Sequence, residues 1–195
     1  MSWFHTSARA GDARNHASAA EIVACFRDQR NLLHGLAFLI TADRATAEQA
    51  VAKACDITLQ GNSPFRNWLL EWAKAVTIST AIALEGDTIR SCEAMYKDRH
   101  CPHVEHLCQF DDERRESKLA LLFQLDAQKI FAELDPLCRA ILVLRLAIRS
   151  SIQDCSLRLN VSRAAVLVAN CQVMTWLDHS HVNPRRDDTN ISQAF

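Results

Sequence analysis

The chain has 195 residues, with 22 Lys plus Arg against 23 Asp plus Glu and only four Gly and four Pro. Its 49% hydrophobic and 23% charged residues suit a globular core rather than a disordered polymer, and so few turn formers exclude a sandwich of many short strands, which predicts helices. A net charge of −1 supplies no overall pull toward nucleic acid or acidic lipid, so any such binding must come from a local patch.

Residues 1–17 are polar and broken by charge, which predicts a flexible leader without an exportable apolar run. No apolar run is long enough to span a bilayer, so a soluble cytoplasmic protein is expected. In that compartment the eight cysteines are expected to be thiols, with Cys25, Cys55, Cys138, Cys155 and Cys171 at core spacing as small packing residues. Ser18 and Glu21 form a capping box that opens the first helix, and Ile22, Cys25, Phe26, Leu33, Leu36, Ala37 and Ile40 continue it on one face. A second helix is predicted from Asp43 to Leu59, with a stripe of small residues (Ala47, Ala50, Val51, Ala54, Cys55) that permits close approach of a neighbour. Gly61, Asn62, Ser63 and Pro64 end it, and Pro64 suits the start of a third helix that carries Trp68, Leu69, Trp72, Ala73 and Val76 inward and stops near Gly86.

From 86 to 117 charges crowd together and apolar periodicity lapses, which predicts a linker. Leu119, Leu122, Phe123, Ile130, Phe131 and Leu134 then resume the helical period. Asp135 and Pro136 are the N-cap and first residue of a helix burying Leu137, Ile141, Leu144 and Ile148. Ser151 and Asp154 cap a short helix, Asn160 supplies the turn, and Ser162 caps a last helix to about Trp176, which together make a helix-turn-helix. The expected architecture is therefore all-α: a three-helix N-terminal domain (18–85), a charged linker (86–117), a four-helix C-terminal domain with a helix-turn-helix (118–177), and a polar tail (178–195).

Residues 39–54 (LITADRATAEQAVAKA) are similar to "L-T-G-D-x-x-x-A-E-D-L-V-Q-E", and residues 64–76 (PFRNWLLEWAKAV) to "F-x-x-W-L-x-x-I-A-R-N". Residues 134–166 follow "L-P-x-x-x-R-x-V-L-x-L-R-x-x-x-x-x-S-x-x-E-I-A-x-x-L-x-x-S-x-x-T-V". In content and order these blocks resemble extracytoplasmic-function type sigma factors of bacterial RNA polymerase. The resemblance covers about half the chain, chiefly at apolar and capping positions, and so specifies fold better than activity. It implies that the protein binds RNA polymerase core, helps to open promoter DNA and reads an upstream element with the last helix. An anti-sigma regulator is a further implied partner.

The positions matching the polymerase-docking face are Glu48, Gln49 and Lys53, the last reversing an acidic sign. For DNA, the last helix offers Ser162, Arg163, Asn170 and Gln172, with Arg163 and Asn170 the base-contact candidates and Arg66, Lys74, Arg149 and Arg158, and also Arg145, toward phosphates. The family's Asn after "I-A-R" falls on Ala75, and its downstream basic cluster is replaced by Thr80, Ala81, Ile82, Ala83 and Leu84. Trp68 and Trp72 could stack on unpaired bases, but their spacing beside Leu69 and Val76 favours the core. The last helix is apolar around most of its circumference, which fits burial on more than one side or a partner interface as well as DNA reading. The alternative function is thus a degenerate sigma-like interaction module that acts in regulation without promoter reading.

In the linker, Cys101, His103, His106 and Cys108 offer zinc-type ligands, yet their spacing follows no finger pattern and they are read as a solvated linker; no metal or other cofactor is expected. No phosphate-binding glycine loop, nucleophile elbow or His-Glu-x-x-His pair occurs, so the protein is not expected to be an enzyme.

Overall fold

The structure, a computed structural model, describes residues 15–99 and 127–182, which are helical with no strand among them. They fall into two compact units that divide after Gly86. The predicted residues Leu119, Leu122 and Phe123, the linker run from Cys101 to Cys108 and the tail beyond 182 lie outside the described residues.

The first unit contains α1 (Ala19–Asp28), α2 (Arg30–Thr41), α3 (Arg44–Gln60) and α4 (Leu69–Leu84), with a short 3₁₀ turn at Arg66–Trp68 before α4. The predicted capping box is present: Ser18 accepts from the Glu21 N–H while Glu21 accepts from the Ser18 N–H. The single first helix of the prediction is instead two, broken at Gln29 (φ −100°, ψ 14°). Between Phe26 and Leu33 the run Arg27, Asp28, Gln29, Arg30, Asn31 has no apolar residue, so no buried contact holds the helix straight there. Asp43 caps α3 through the Thr46 N–H, and the small stripe Ala47, Ala50 and Ala54 is fully buried where α3 packs on α1, α2 and α4. Pro64 does not start a helix; its carbonyl instead accepts the Ala17 N–H at 2.8 Å.

The end of the predicted leader is therefore fixed. Ala17 is buried, the Arg66 N–H donates to the Asn15 carbonyl, and His16 and Phe65 form an isolated antiparallel bridge.

The second unit opens with α5 (Gly86–Ser91), whose first residue closes the first unit, and a 3₁₀ helix at Cys92–Tyr96. Ile89, Cys92 and Tyr96 are buried, so the start of the stretch read as linker is folded. Its apolar residues step by three and four (89, 92, 96), a period too short to stand out among the charges. Beyond come α6 (Ala127–Glu133), α7 (Pro136–Ala147), α8 (Ile152–Leu159) and α9 (Arg163–Val182). Asp135 caps α7 by accepting the Cys138 N–H, with Pro136 in the first turn. Leu137, Ile141 and Leu144 are fully buried as predicted, whereas Ile148 is the half-buried C-cap. Ser151 and Asp154 make a second capping box, and Asn160 adopts the left-handed conformation (φ 52°) that turns α8 into α9. Among the described residues no helix is long and apolar enough to cross a membrane.

Candidate nucleic-acid interface

Two surfaces, one on each unit, hold most of the predicted contacts.

In the first unit the inward stripe of α4 is Leu69, Ala73, Thr77, Ile78, Thr80, Ala81 and Ile82. Facing the alanines of α3, this stripe leaves no room for an indole, and the two tryptophans are displaced to its flank. Trp68 is 68% exposed and Trp72, one turn further on, is 46% exposed, so the expectation that both lie in the core is corrected. Phe65 is exposed beside them. His16 stacks on Phe65 at 4.4 Å, and Phe65 meets Trp68 edge to face at 5.7 Å, which makes an aromatic row. His16 Nδ1 lies 2.6 Å from the Ser63 carbonyl, and as the donor it fixes that ring. Asn15, Phe65, Arg66, Asn67 and Trp68 line a cleft of about 420 Å³.

Arg66 is exposed and forms an ion pair with Glu21 at 2.7 Å. The Glu21 carboxyl is held below its ordinary range, first by the Ser18 backbone N–H and hydroxyl and then by Arg66. Lys74 is less available: its ammonium pairs with Glu71 at 2.7 Å and its side chain is only 15% exposed. Glu48, Gln49 and Lys53 all stand exposed on the outer face of α3, with Glu48 between Arg44 (3.6 Å) and Arg30 (3.9 Å).

In the second unit Ser162 is the exposed N-cap of α9 and accepts the Ala165 N–H at 3.3 Å. The Ser162 N–H donates to Glu93 Oε1 at 2.8 Å, so the 3₁₀ helix holds the start of α9. That contact, first through the Ser162 side chain and then its backbone, keeps the Glu93 carboxyl below its ordinary 4.5. Arg149, Arg158 and Arg163 are exposed around this end. Arg149 occupies the left-handed region (φ 55°) in the α7–α8 connection.

Two predicted contacts are corrected. Asn170 is fully buried and therefore presents nothing to a base edge. Arg145 is also buried, donating to the Ser150 carbonyl at 2.7 Å, so it closes the end of α7 instead of meeting phosphate. The apolar circumference of α9 has a cause within the unit: Ala165, Val166, Val168, Ala169, Cys171, Val173 and Leu177 are buried, and α7, α8 and the 3₁₀ helix pack against it.

Sequence reasoning missed Phe65, whose signal was its place three residues before Trp68, and it missed a polar cluster at the base of α9. There the Tyr96 hydroxyl donates to the Asp135 carboxylate, with Gln172 Oε1 at 3.0 Å and Cys138 Sγ at 3.2 Å also in reach. Burial raises the Tyr96 phenol and pushes the Cys138 thiol up to about 12, so both stay neutral near neutral pH. The cysteines predicted as packing are buried at 138, 155 and 171 and half-buried at 25 and 55. Among the described residues no group of three or more His, Cys, Asp or Glu side chains could hold a metal ion, and the linker run that raised the question lies outside them.

No protein family, curated protein or solved structure matches this chain.

Proposed function

We propose that the protein is a sigma-factor-like transcription initiation protein that binds RNA polymerase core and promoter DNA. The observation that carries the reading is the exposure of Phe65, Trp68 and Trp72, with Phe65 edge to face on Trp68 and Arg66 and Asn67 exposed between them in sequence. Aromatic faces set beside a cation are what a flexible strand of unstacked bases needs, because every base has a π face and every linkage a phosphate. The helix-turn-helix adds a duplex-facing end in which Ser162 and Arg163 touch bases while Arg149 and Arg158 meet phosphates. On this reading Glu48, Gln49 and Lys53 dock on the polymerase, and an anti-sigma regulator acts on the same surfaces.

The test is a promoter-library transcription assay with purified core, scored against core alone. Promoter-dependent run-off products are expected, and their absence with every library overturns the reading.

A second reading, a sigma-like interaction module without promoter reading, draws on the burial of Asn170, which leaves few side chains for base edges. It predicts a partner complex that survives about 0.5 M salt, where surface charge is screened within a few ångström.

A further inference from the structure

At the base of α9 lies a cavity of about 510 Å³, within the range of small-molecule sites, and its walls come entirely from the second unit. The half-buried Phe131 and Trp176 give it aromatic surface and Pro136 gives it aliphatic surface, while Tyr96, only 2% exposed, lies buried at its edge. Its charges balance, Arg99 and Arg139 against Glu133 and Asp135.

Most of these groups are already committed. Arg139 is buried, donates to the Leu134 carbonyl at 3.0 Å and lies over the Phe131 ring. Asp135 accepts from the Cys138 N–H and the Tyr96 hydroxyl. Two are left with capacity. The exposed Arg99 guanidinium meets only the Tyr96 ring, at 5.7 Å, among the described residues. The exposed Glu133 carboxylate accepts one bond, from Trp176 Nε1 at 2.5 Å, and retains further acceptor positions.

We infer that this cavity binds a free aromatic amino acid. The carboxylate of the ligand pairs with Arg99, its ammonium with Glu133, and its ring lies against Phe131 and Trp176. A nucleotide fits poorly, since its several negative charges would meet no excess of cations. An aromatic acid without an amine would leave Glu133 facing it uncompensated.

The site is joined to the start of α9. Tyr96 and Glu93 belong to one 3₁₀ helix, one lining the cavity and the other holding the Ser162 N–H. A ligand paired with Arg99, whose guanidinium lies over the Tyr96 ring, therefore bears on that 3₁₀ helix and through Glu93 on the N-terminal turn of α9. Any consequence for DNA rests on the sigma-like reading, but binding and the local response do not.

The experiment is isothermal titration of the full chain with L-tryptophan, L-tyrosine and L-phenylalanine, against L-leucine, phenylpropionate and phenethylamine. At least one aromatic amino acid is expected to bind with a sub-millimolar constant, and each control more weakly. Arg99→Ala and Glu133→Gln, both at exposed positions, are each expected to weaken binding by about tenfold, as for a lost charged hydrogen bond. No heat up to about 10 mM ligand, equal binding of leucine, or unchanged affinity in both variants overturns the site. Hydrogen exchange of the Ser162 amide segment, run with and without ligand, reads the coupling. Slower exchange in the wild type but not in Glu93→Ala is expected, and no change in the wild type overturns the coupling. An exchange response in a protein that binds no DNA would show the transcription reading wrong and this inference right.

Discussion

Replacing Trp68 by Ala separates a stacking surface from a core residue, because the two roles predict opposite balances between stability and binding. Trp68 is 68% exposed, so about a third of its surface is buried. A tryptophan carries up to about 250 Å², and a third of that, about 80 Å², is worth at most about 2 kcal/mol at ~25 cal/mol/Å². A core tryptophan would instead cost about 3–5 kcal/mol. Stacking on one unpaired base is worth about 1–3 kcal/mol, or about five- to 150-fold in affinity. The assay pairs urea unfolding of the full chain, followed by circular dichroism, with fluorescence anisotropy on an oligonucleotide bearing an unpaired stretch, with and without polymerase core. The expected result is a stability loss below about 2 kcal/mol with at least about fivefold weaker binding of the unpaired strand, largely restored in Trp68→Phe. A stability loss above about 3 kcal/mol, or wild-type affinity for the unpaired strand, would refute the reasoning.

Asn170→Ala is expected to lower the stability of the second unit while leaving the relative affinities for different DNA sequences unchanged, since the side chain is fully buried, and a competition binding series would show this. Lys53→Glu restores the acid expected by the resemblance on an exposed face of α3. It should tighten core binding by about tenfold in a pull-down titration, with stability within about 0.5 kcal/mol of wild type. Glu93 has a folded pKa below its ordinary 4.5, so its bond to Ser162 adds stability above that value and loses it as pH falls through the lowered one. Urea midpoints taken at about pH 7 and below about pH 4 should therefore fall less in Glu93→Gln than in the wild type; an equal fall would place the acid sensitivity elsewhere.

The helices were legible where capping chemistry and periodicity agreed. Ser18 with Glu21, Asp135 with Pro136, and Ser151 with Asp154 each act as their sequence indicates, because a cap is a local contact that needs no knowledge of the rest of the chain. The errors came where tertiary space decides. A spacing of four residues placed Trp68 and Trp72 beside Leu69 and Ala73, but only the alanines on α3 reveal that the gap between the helices is too narrow for indoles. Asn170 looked like a reader of bases because it is polar on an apolar helix, yet the same helix is covered on the side where it points. The cavity at the base of α9 was not legible at all. Tyr96, Asp135 and Gln172 are separated by 39 and 76 positions from the tyrosine outward, and no local pattern links them.

If the helix-turn-helix binds duplex DNA as proposed, the described arginines around it determine its own share of the salt dependence. Arg139 and Arg145 are buried, each donating to a carbonyl, that of Leu134 and that of Ser150, so neither reaches a phosphate. Arg149, Arg158 and Arg163 are the exposed arginines from the α7–α8 connection to the start of α9. Each phosphate neutralised contributes about −0.9 to the slope of log affinity against log salt, so three give about −2.7. Between about 50 and 200 mM salt that corresponds to about a fortyfold loss of affinity. The triple variant Arg149→Ala, Arg158→Ala, Arg163→Ala in the full chain should therefore flatten the slope measured on duplex promoter DNA by about 2.7, and each single variant by about 0.9. A slope that does not change in the triple variant would mean that the duplex lies elsewhere on the protein, and the role of this helix-turn-helix in binding would fall with it.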